Sequence, residues 1–328
     1  METRNGFPRR LLWTMAFAAA AAAWGQVHAG YPEQPVRVII PFAPGGGTDV
    51  VGRVVAERLT RATGHAFVPE NKPGANAAIG ANYVAKSAPD GYTVLLGTSA
   101  ELTMVPKINP DTPYDPLADF TPIVLLGTTP NILLAHPAQP FKDARDLMAY
   151  AKANPDKLSY ASGGMGPYLT GELFKYMAGI TITNIAYQGT GPAHNDLLGG
   201  HVPLMVSTVP AAAPLVKSGR VKALAVTSAE RAAQLPEVPT LAEQGLAGYE
   251  ASTWFGLFVP AKTPKVVVDY LRATVEKVLE DKDVRRQFAD SGIEMSTPAT
   301  GRYTLRARME GDLAKWDRLI KETGIKPQ

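Results

Sequence analysis

Short apolar, largely β-branched runs alternate with stretches of helical periodicity along most of this 328-residue chain, and that alternation limits its fold more than any other feature. Residues 36–42 (Val-Arg-Val-Ile-Ile-Pro-Phe) read as a buried strand. A glycine turn and a helix over 50–63 follow, with Val51, Val54, Val55 and Leu59 on one face and Gly64 as its stop. Further strands are expected at 93–96, 123–126, 132–135, 158–161, 182–186, 202–206 and 221–226. Helices are expected between them at 77–85, 144–153, 168–178, 193–198 and 211–217. Such a pattern predicts an α/β protein with parallel sheets covered by helices on both faces.

The last third differs. After Thr253-Trp-Phe-Gly-Leu-Phe-Val-Pro260, the periodicity is almost wholly helical, over 264–279, 282–291 and 301–322. Helices with apolar faces need a sheet to cover, so the chain is expected to leave a first domain, build a second and return. The expected division is 30–128 with 253–328 for the first domain and 129–252 for the second. Crossings would fall near Pro130 and over 248–253, and two crossings make a hinge.

Residues 1–29 read as an export signal. Arg4, Arg9 and Arg10 precede an apolar run over 11–24, and Val27-His28-Ala29 is a small-residue cleavage site, so cleavage is expected after Ala29. The apolar run falls short of the roughly 20 residues a spanning helix needs. Arg9-Arg10 leaves a twin-arginine route open beside general secretion. With no cysteine in the chain, disulfides, thiol nucleophiles and a lipidated N-terminal cysteine are excluded. Removal of three arginines and one glutamate with the signal takes the net charge from +3 to +1, far from the basic excess of a nucleic-acid binder.

Chemistry is expected at the strand-to-helix joints. The first is Pro41-Phe-Ala-Pro-Gly-Gly-Gly-Thr-Asp49, where glycines let backbone N–H groups approach a ligand. Thr48 or Asp49 can cap the following helix, whose amino end attracts anions. The plainer reading is a tight turn with a helix cap. Ser162-Gly-Gly-Met-Gly-Pro-Tyr168 and Tyr187-Gln-Gly-Thr-Gly-Pro192 repeat the arrangement, with weaker relatives at 97–101 and 71–76. Several such joints at strand carboxyl ends are what a ligand cleft in an open α/β sheet requires.

Catalytic patterns are poor. The first loop lacks the Gly-Lys-Ser/Thr end of a P-loop and is not a GxGxxG turn, and no G-x-S-x-G surrounds Ser99 or Ser162. His194 and His201 stand seven apart, which is not a zinc spacing. Glu172 reads as a solvated or capping carboxylate. No enzyme, cofactor or metal site is expected, although an exported α/β enzyme stays open as a minority reading.

The run from Tyr31 to Asp49 resembles the opening signature of the Bug family, the substrate-binding proteins of tripartite tricarboxylate transporters. The likeness continues through Glu70-Asn-Lys-Pro-Gly-Ala75, Ala88-Pro-Asp-Gly-Tyr-Thr-Val-Leu95, Tyr160-Ala-Ser-Gly-Gly164, Tyr187 to Pro192 and Trp254-Phe-Gly-Leu-Phe-Val-Pro-Ala261. It implies a type II periplasmic binding protein fold, with two doubly wound α/β domains joined by a two-crossing hinge. It also implies a periplasmic, monomeric receptor that closes on a small mono- or dicarboxylate and delivers it to a two-subunit inner-membrane transporter, with a sensor kinase as the alternative partner. Carried over, the contacts are Phe42, Ala43, Gly46, Thr48, Asp49, Thr98 and Ser99 from the first domain. Ser162, Gly166, Pro167, Tyr187, Gly189, Thr190 and Ser207 come from the second. Relatives often carry an acidic residue or asparagine near 207–208 that receives an amino group. Ser207-Thr-Val-Pro210 has none here, which favours a plain or aromatic carboxylate over an amino acid.

Overall fold

A computed structural model describes residues 30–44, 47–187, 189–295 and 301–325, so the expected signal and Gly46 lie outside the described residues. The chain opens with β1 (Val36–Ile40), α1 (Gly47–Thr63), β2 (Phe67–Asn71), α2 (Ala78–Ala85) and β3 (Thr93–Thr98). A π-turn (Ala100–Met104) leads into the short α3 (Val105–Ile108) and the long β4 (Phe120–Ala135). The middle of the chain holds α4 (Ala144–Ala153), β5 (Ser159–Ser162), α5 (Met165–Ala178), β6 (Thr183–Ala186), α6 (Thr190–Leu198), β7 (Leu204–Thr208), α7 (Val209–Lys217) and β8 (Lys222–Val226). It closes with β9 (Ser252–Pro260), α8 (Lys265–Glu280), α9 (Lys282–Asp290), β10 (Glu294–Met295) and α10 (Gly301–Thr323).

The strands form one curled sheet in the order β2-β1-β3-β9-β4-β7-β5-β6, with β8 and β10 also paired to β4. The outer pairs are parallel, as expected for β1 with β2 and β3 and for β5 with β6 and β7. The centre is not. β9 runs antiparallel to both β3 and β4, and β4 is antiparallel to β7 and β8. The expected parallel pairing thus holds for the outer strands and not for the central ones, and the cause is connectivity. One strand carries the chain out of the first half of the sheet and another brings it back, so two neighbours at that passage run in opposite directions.

Two strands expected at 123–126 and 132–135 are a single one. Pairing of β4 passes from β9 to β7 and β8 between Pro130 and Asn131 without a break in the strand. Its prolines occupy places where a missing N–H is tolerated: Pro122 lies at a register shift and Pro130 at the change of partner. β4 is buried over nearly its whole length, which is why its sequence reads as continuous apolar rather than alternating.

The terminal helices cover the first half of the sheet. Val267, Val268, Leu271, Val275, Val278 and Leu279 form the buried stripe of α8, which packs on α1 and β4. Asp281 caps α9 by accepting from the Asp283 and Val284 amides. α10 is pinned by Trp254, fully buried, whose indole N–H donates to Asp312 Oδ2 at 2.8 Å.

Both crossings are knotted together by one buried network. Thr227 Oγ1 accepts from the Asn131 amide at 3.0 Å and donates to the Ala251 carbonyl at 2.8 Å. Asn131 Nδ2 donates to Thr170 Oγ1 at 3.1 Å, and the Tyr249 hydroxyl donates to the Thr170 carbonyl at 2.7 Å. Thr227→Val keeps the shape and leaves these groups without the hydroxyl. The expected loss is about 1–3 kcal/mol of unfolding free energy in urea titrations, and an unchanged midpoint would remove this network from the account.

Candidate functional site

A cavity of about 670 Å³ opens at the carboxyl ends of the strands. The loop after β1 and the start of α1 supply Pro41, Phe42, Ala43 and Thr48, the loop after β2 supplies Pro73, Gly74, Asn76 and Ala77, and β3 ends in it at Thr98. From the middle of the chain come Gly163 to Pro167 after β5, Tyr187, Gly189 and Thr190 after β6, and Thr208 at the end of β7. Thr253, on the returning strand, completes the lining. A methyl carbon built on Gly166 would stand 3.7 Å from Thr253 Oγ1, so the two halves of the sheet face each other here.

Five helices begin at this cavity: α1, α2, α5, α6 and α7. The residues preceding the last four (Ala77, Gly164, Gly189 and Thr208) cap them with no side-chain hydrogen bond. The first N–H groups of a helix have no partner within it. In α2 the Ala78 and Ile79 amides donate to the Ala75 and Gly74 carbonyls, so starts without a side-chain cap leave amides at the cavity wall for α5, α6 and α7. Gly164 and Gly189 adopt φ of 143° and 106° with ψ near 180°, a region open essentially to glycine alone. Two glycine signals of the sequence thus have a conformational cause. Among the described lining residues there is no Lys, Arg, His, Asp or Glu. Five positive dipole ends without a competing charge suit an anion.

The tripartite tricarboxylate transporter family receptor, TctC, matches residues 51–325 of this sequence. The chain belongs to this family. Among its relatives, the BugT protein of Bordetella pertussis is 37% identical over 316 residues, covering 94% of this chain and 96% of BugT. A Rhodopseudomonas palustris protein solved with adipate superposes with a TM-score of 0.79 at 35% identity, covering 91% of this chain and all of that one. MatC from the same species, solved with bound malate, gives 0.77 at 33% identity over 88% of this chain and 100% of its own. These TctC and Bug structures share the type II-like fold. No described helix is long and apolar enough to cross a membrane.

Of the residues that the family signature points to, Phe42, Ala43, Thr48, Thr98, Gly166, Pro167, Tyr187, Gly189 and Thr190 line the TctC cavity. Asp49, Ser99, Ser162 and Ser207 are not among its lining. The helix starts at Gly47, ahead of the expected position, so Asp49 sits within its first turn rather than at the cap. The Asp49 carboxylate accepts from Arg53 Nε and Asn71 Nδ2, both at 2.9 Å, while the same Asn71 amide also donates to the Phe42 carbonyl. Asp49 therefore holds the first loop to the end of β2. Ser162 Oγ accepts from Asn184 Nδ2 at 2.9 Å, and Ser207 Oγ lies 3.0 Å from His194 Nε2, an imidazole whose pKa burial lowers. Ser99 Oγ is buried without a hydrogen-bond partner.

Two side chains depart from expectation. The Tyr187 hydroxyl donates to Asp196 Oδ2 at 2.6 Å, and that bond raises its pKa to about 12. Its proton is committed, so Tyr187 offers the cavity a ring and an oxygen lone pair. Glu172, expected to be solvated, is buried and accepts from Tyr160 and Lys175. Sequence reading passed over Asn76, Ala77, Thr208 and Thr253 as contacts. The 71–76 joint had been ranked as weak, and Thr253 carries no glycine signal because it enters from a strand.

Sequence reading also passed over Glu101. Its side chain is fully buried in the π-turn directly after β3, where Oε1 accepts from the Thr98 amide and Oε2 from the Thr98 hydroxyl. Burial pushes this carboxyl up to about 7, against the opposing pull of the Thr98 hydrogen bonds. A folded-state value above the ordinary one means the folded form binds the proton more tightly. The resulting stability is present in full below the unfolded value and is lost as pH rises through about 7. Melting temperatures of the wild type should therefore fall between about pH 5 and 8 relative to Glu101→Gln, which cannot titrate; parallel curves would count against it.

Proposed function

We propose that this chain is a periplasmic receptor that closes its cleft on a small mono- or dicarboxylate and delivers it to the two membrane subunits of a tripartite tricarboxylate-type transporter. The observation that carries this reading is the convergence of five helix amino ends, from both halves of the sheet, on a cavity with no charged residue among its described lining. Hydrogen bonds to a charged acceptor contribute about 1.5–3 kcal/mol each, so three or four offset the ordering cost of binding. Micromolar affinity, about −8 kcal/mol, needs no arginine. The adipate and malate held by family structures support a carboxylate as the class of ligand.

Residues 30–128 with 253–328 act as one lobe and 129–252 as the other, turning about the crossings near Pro130 and Ser252. A ligand touches the amides after β1 and those after β5 and β6 together only when the lobes are shut. It favours the closed state by that difference in contact and by nothing else. Phe42 and Met165 supply apolar wall on either side, and the uncharged, hydroxyl-rich lining fits a ligand without an amino group. Export with cleavage after Ala29 brings the receptor to the compartment where such a solute is met.

The site is tested by filling it. Gly166→Leu places a side chain in open space facing Thr253 rather than in the core. In calorimetric titrations with adipate and with malate it should abolish or weaken binding at least about tenfold, roughly 1.4 kcal/mol, while the melting temperature of the empty protein stays within about 2 °C. Full affinity in that variant would move the ligand elsewhere.

A further inference from the structure

Glu101 has no part in the receptor reading, yet it is an ionisable side chain bonded directly to a residue of the cavity lining, Thr98. A hydroxyl has one proton and two lone pairs. Thr98 Oγ1 gives its proton to Glu101 Oε2 and uses one lone pair to accept from the Ala100 amide at 3.2 Å. An ionised carboxylate can only accept, so the direction of the Thr98–Glu101 bond is not free to reverse. One lone pair is left.

We propose that Glu101, from behind Thr98, fixes the hydrogen-bond polarity of that hydroxyl, so that the cleft presents an acceptor there and selects carboxylates that also carry a hydroxyl group. The proposal rests on the receptor reading and adds its substrate class. An acceptor turned toward a bare carboxylate oxygen or a methylene gains nothing, whereas a ligand hydroxyl finds a partner. An ammonium would meet the same lone pair, but no carboxylate stands among the described lining residues to neutralise it once desolvated. Glu101 is thus a positioning residue and Thr98 the one that meets the ligand.

Protonation inverts the arrangement. A neutral Glu101 keeps one oxygen for the Thr98 amide and donates from the other to Thr98 Oγ1, which frees the threonine proton to point into the cavity. Selectivity then shifts toward unsubstituted acids. The π-turn packs against β3, α2, α3, α5 and α10. Of the charged side chains described there, Lys107 pairs with Asp317, Glu172 with Lys175, Arg306 with Glu310, and Asp312 with Lys315 and Arg308, while Arg318 is exposed. Of the phenols, Tyr114 donates to the Glu101 carbonyl, Tyr83 accepts from Arg37, Tyr176 donates to Glu322, and Tyr168 sits on α5. The carboxyl's own partner is Thr98.

Paired titration calorimetry with malate and succinate, which differ by one hydroxyl, tests this. The wild type should prefer malate, with a preference that grows as pH rises from about 6 to about 8.5, through the range where Glu101 loses its proton. Glu101→Gln offers Oε1 to the Thr98 amide and an N–H to its hydroxyl, so it copies the protonated state. Its malate-to-succinate ratio should drop about tenfold and become flat with pH. Thr98→Val should lose the preference and Thr98→Ser keep it, which guards against a glutamine variant that fails to fold. Binding of both acids with a ratio unchanged by Glu101→Gln or Thr98→Val overturns the proposal alone. Binding of neither acid, nor of adipate, overturns the receptor reading and this inference with it.

Discussion

The antiparallel ladder between Phe120–Pro130 of β4 and Ser252–Pro260 is the constraint on which everything else depends. These strands leave and re-enter the first half of the sheet, so their pairing sets the spacing of the joints that surround the cavity. The joints after β1, β2 and β3 hang from one flank of this ladder, and those after β5, β6 and β7 from the other. One strand passes unbroken from one set of partners to the next. The buried Asn131–Thr227–Ala251 network adds polar bonds at the same passage, where apolar packing alone would leave backbone groups unsatisfied.

Most of the regular structure was legible because it follows from local chemistry. The helix over 144–153 was read to the residue, since Asp143 is a good cap and the apolar spacing is regular. The strand at 36–40 was visible because its burial on both faces leaves a continuous apolar run. The sense of the central strands was not legible, because direction belongs to connectivity and leaves no trace in the composition of a strand. Phe67–Asn71 was missed for a related reason: with Pro69, Glu70 and Asn71 it is a polar edge strand, held by β1 rather than by its own pattern.

The site divides along the same line. Glycine-rich joints announced the loops after β5 and β6, because the φ angles at Gly164 and Gly189 demand that residue type. Side-chain commitments were hidden. That the Tyr187 hydroxyl turns to Asp196, that Asp49 braces a loop, and that Glu101 folds back on Thr98 all depend on which groups tertiary packing brings within 3 Å. A glutamate between alanine and leucine at 100–102 looks like any surface glutamate until the terminal helix is packed over it.

The bare helix entrances described at the cavity carry a consequence for the life of the empty protein. A helix start lacking a side-chain cap gives up from a few tenths of a kcal/mol, with glycine at the cap, to roughly 1 kcal/mol, and the starts of α5, α6 and α7 share one cavity mouth. A bound anion restores those missing bonds, so occupancy and durability rise together by mass action. Scarcity of ligand would then leave the empty protein less durable, and abundance would preserve it.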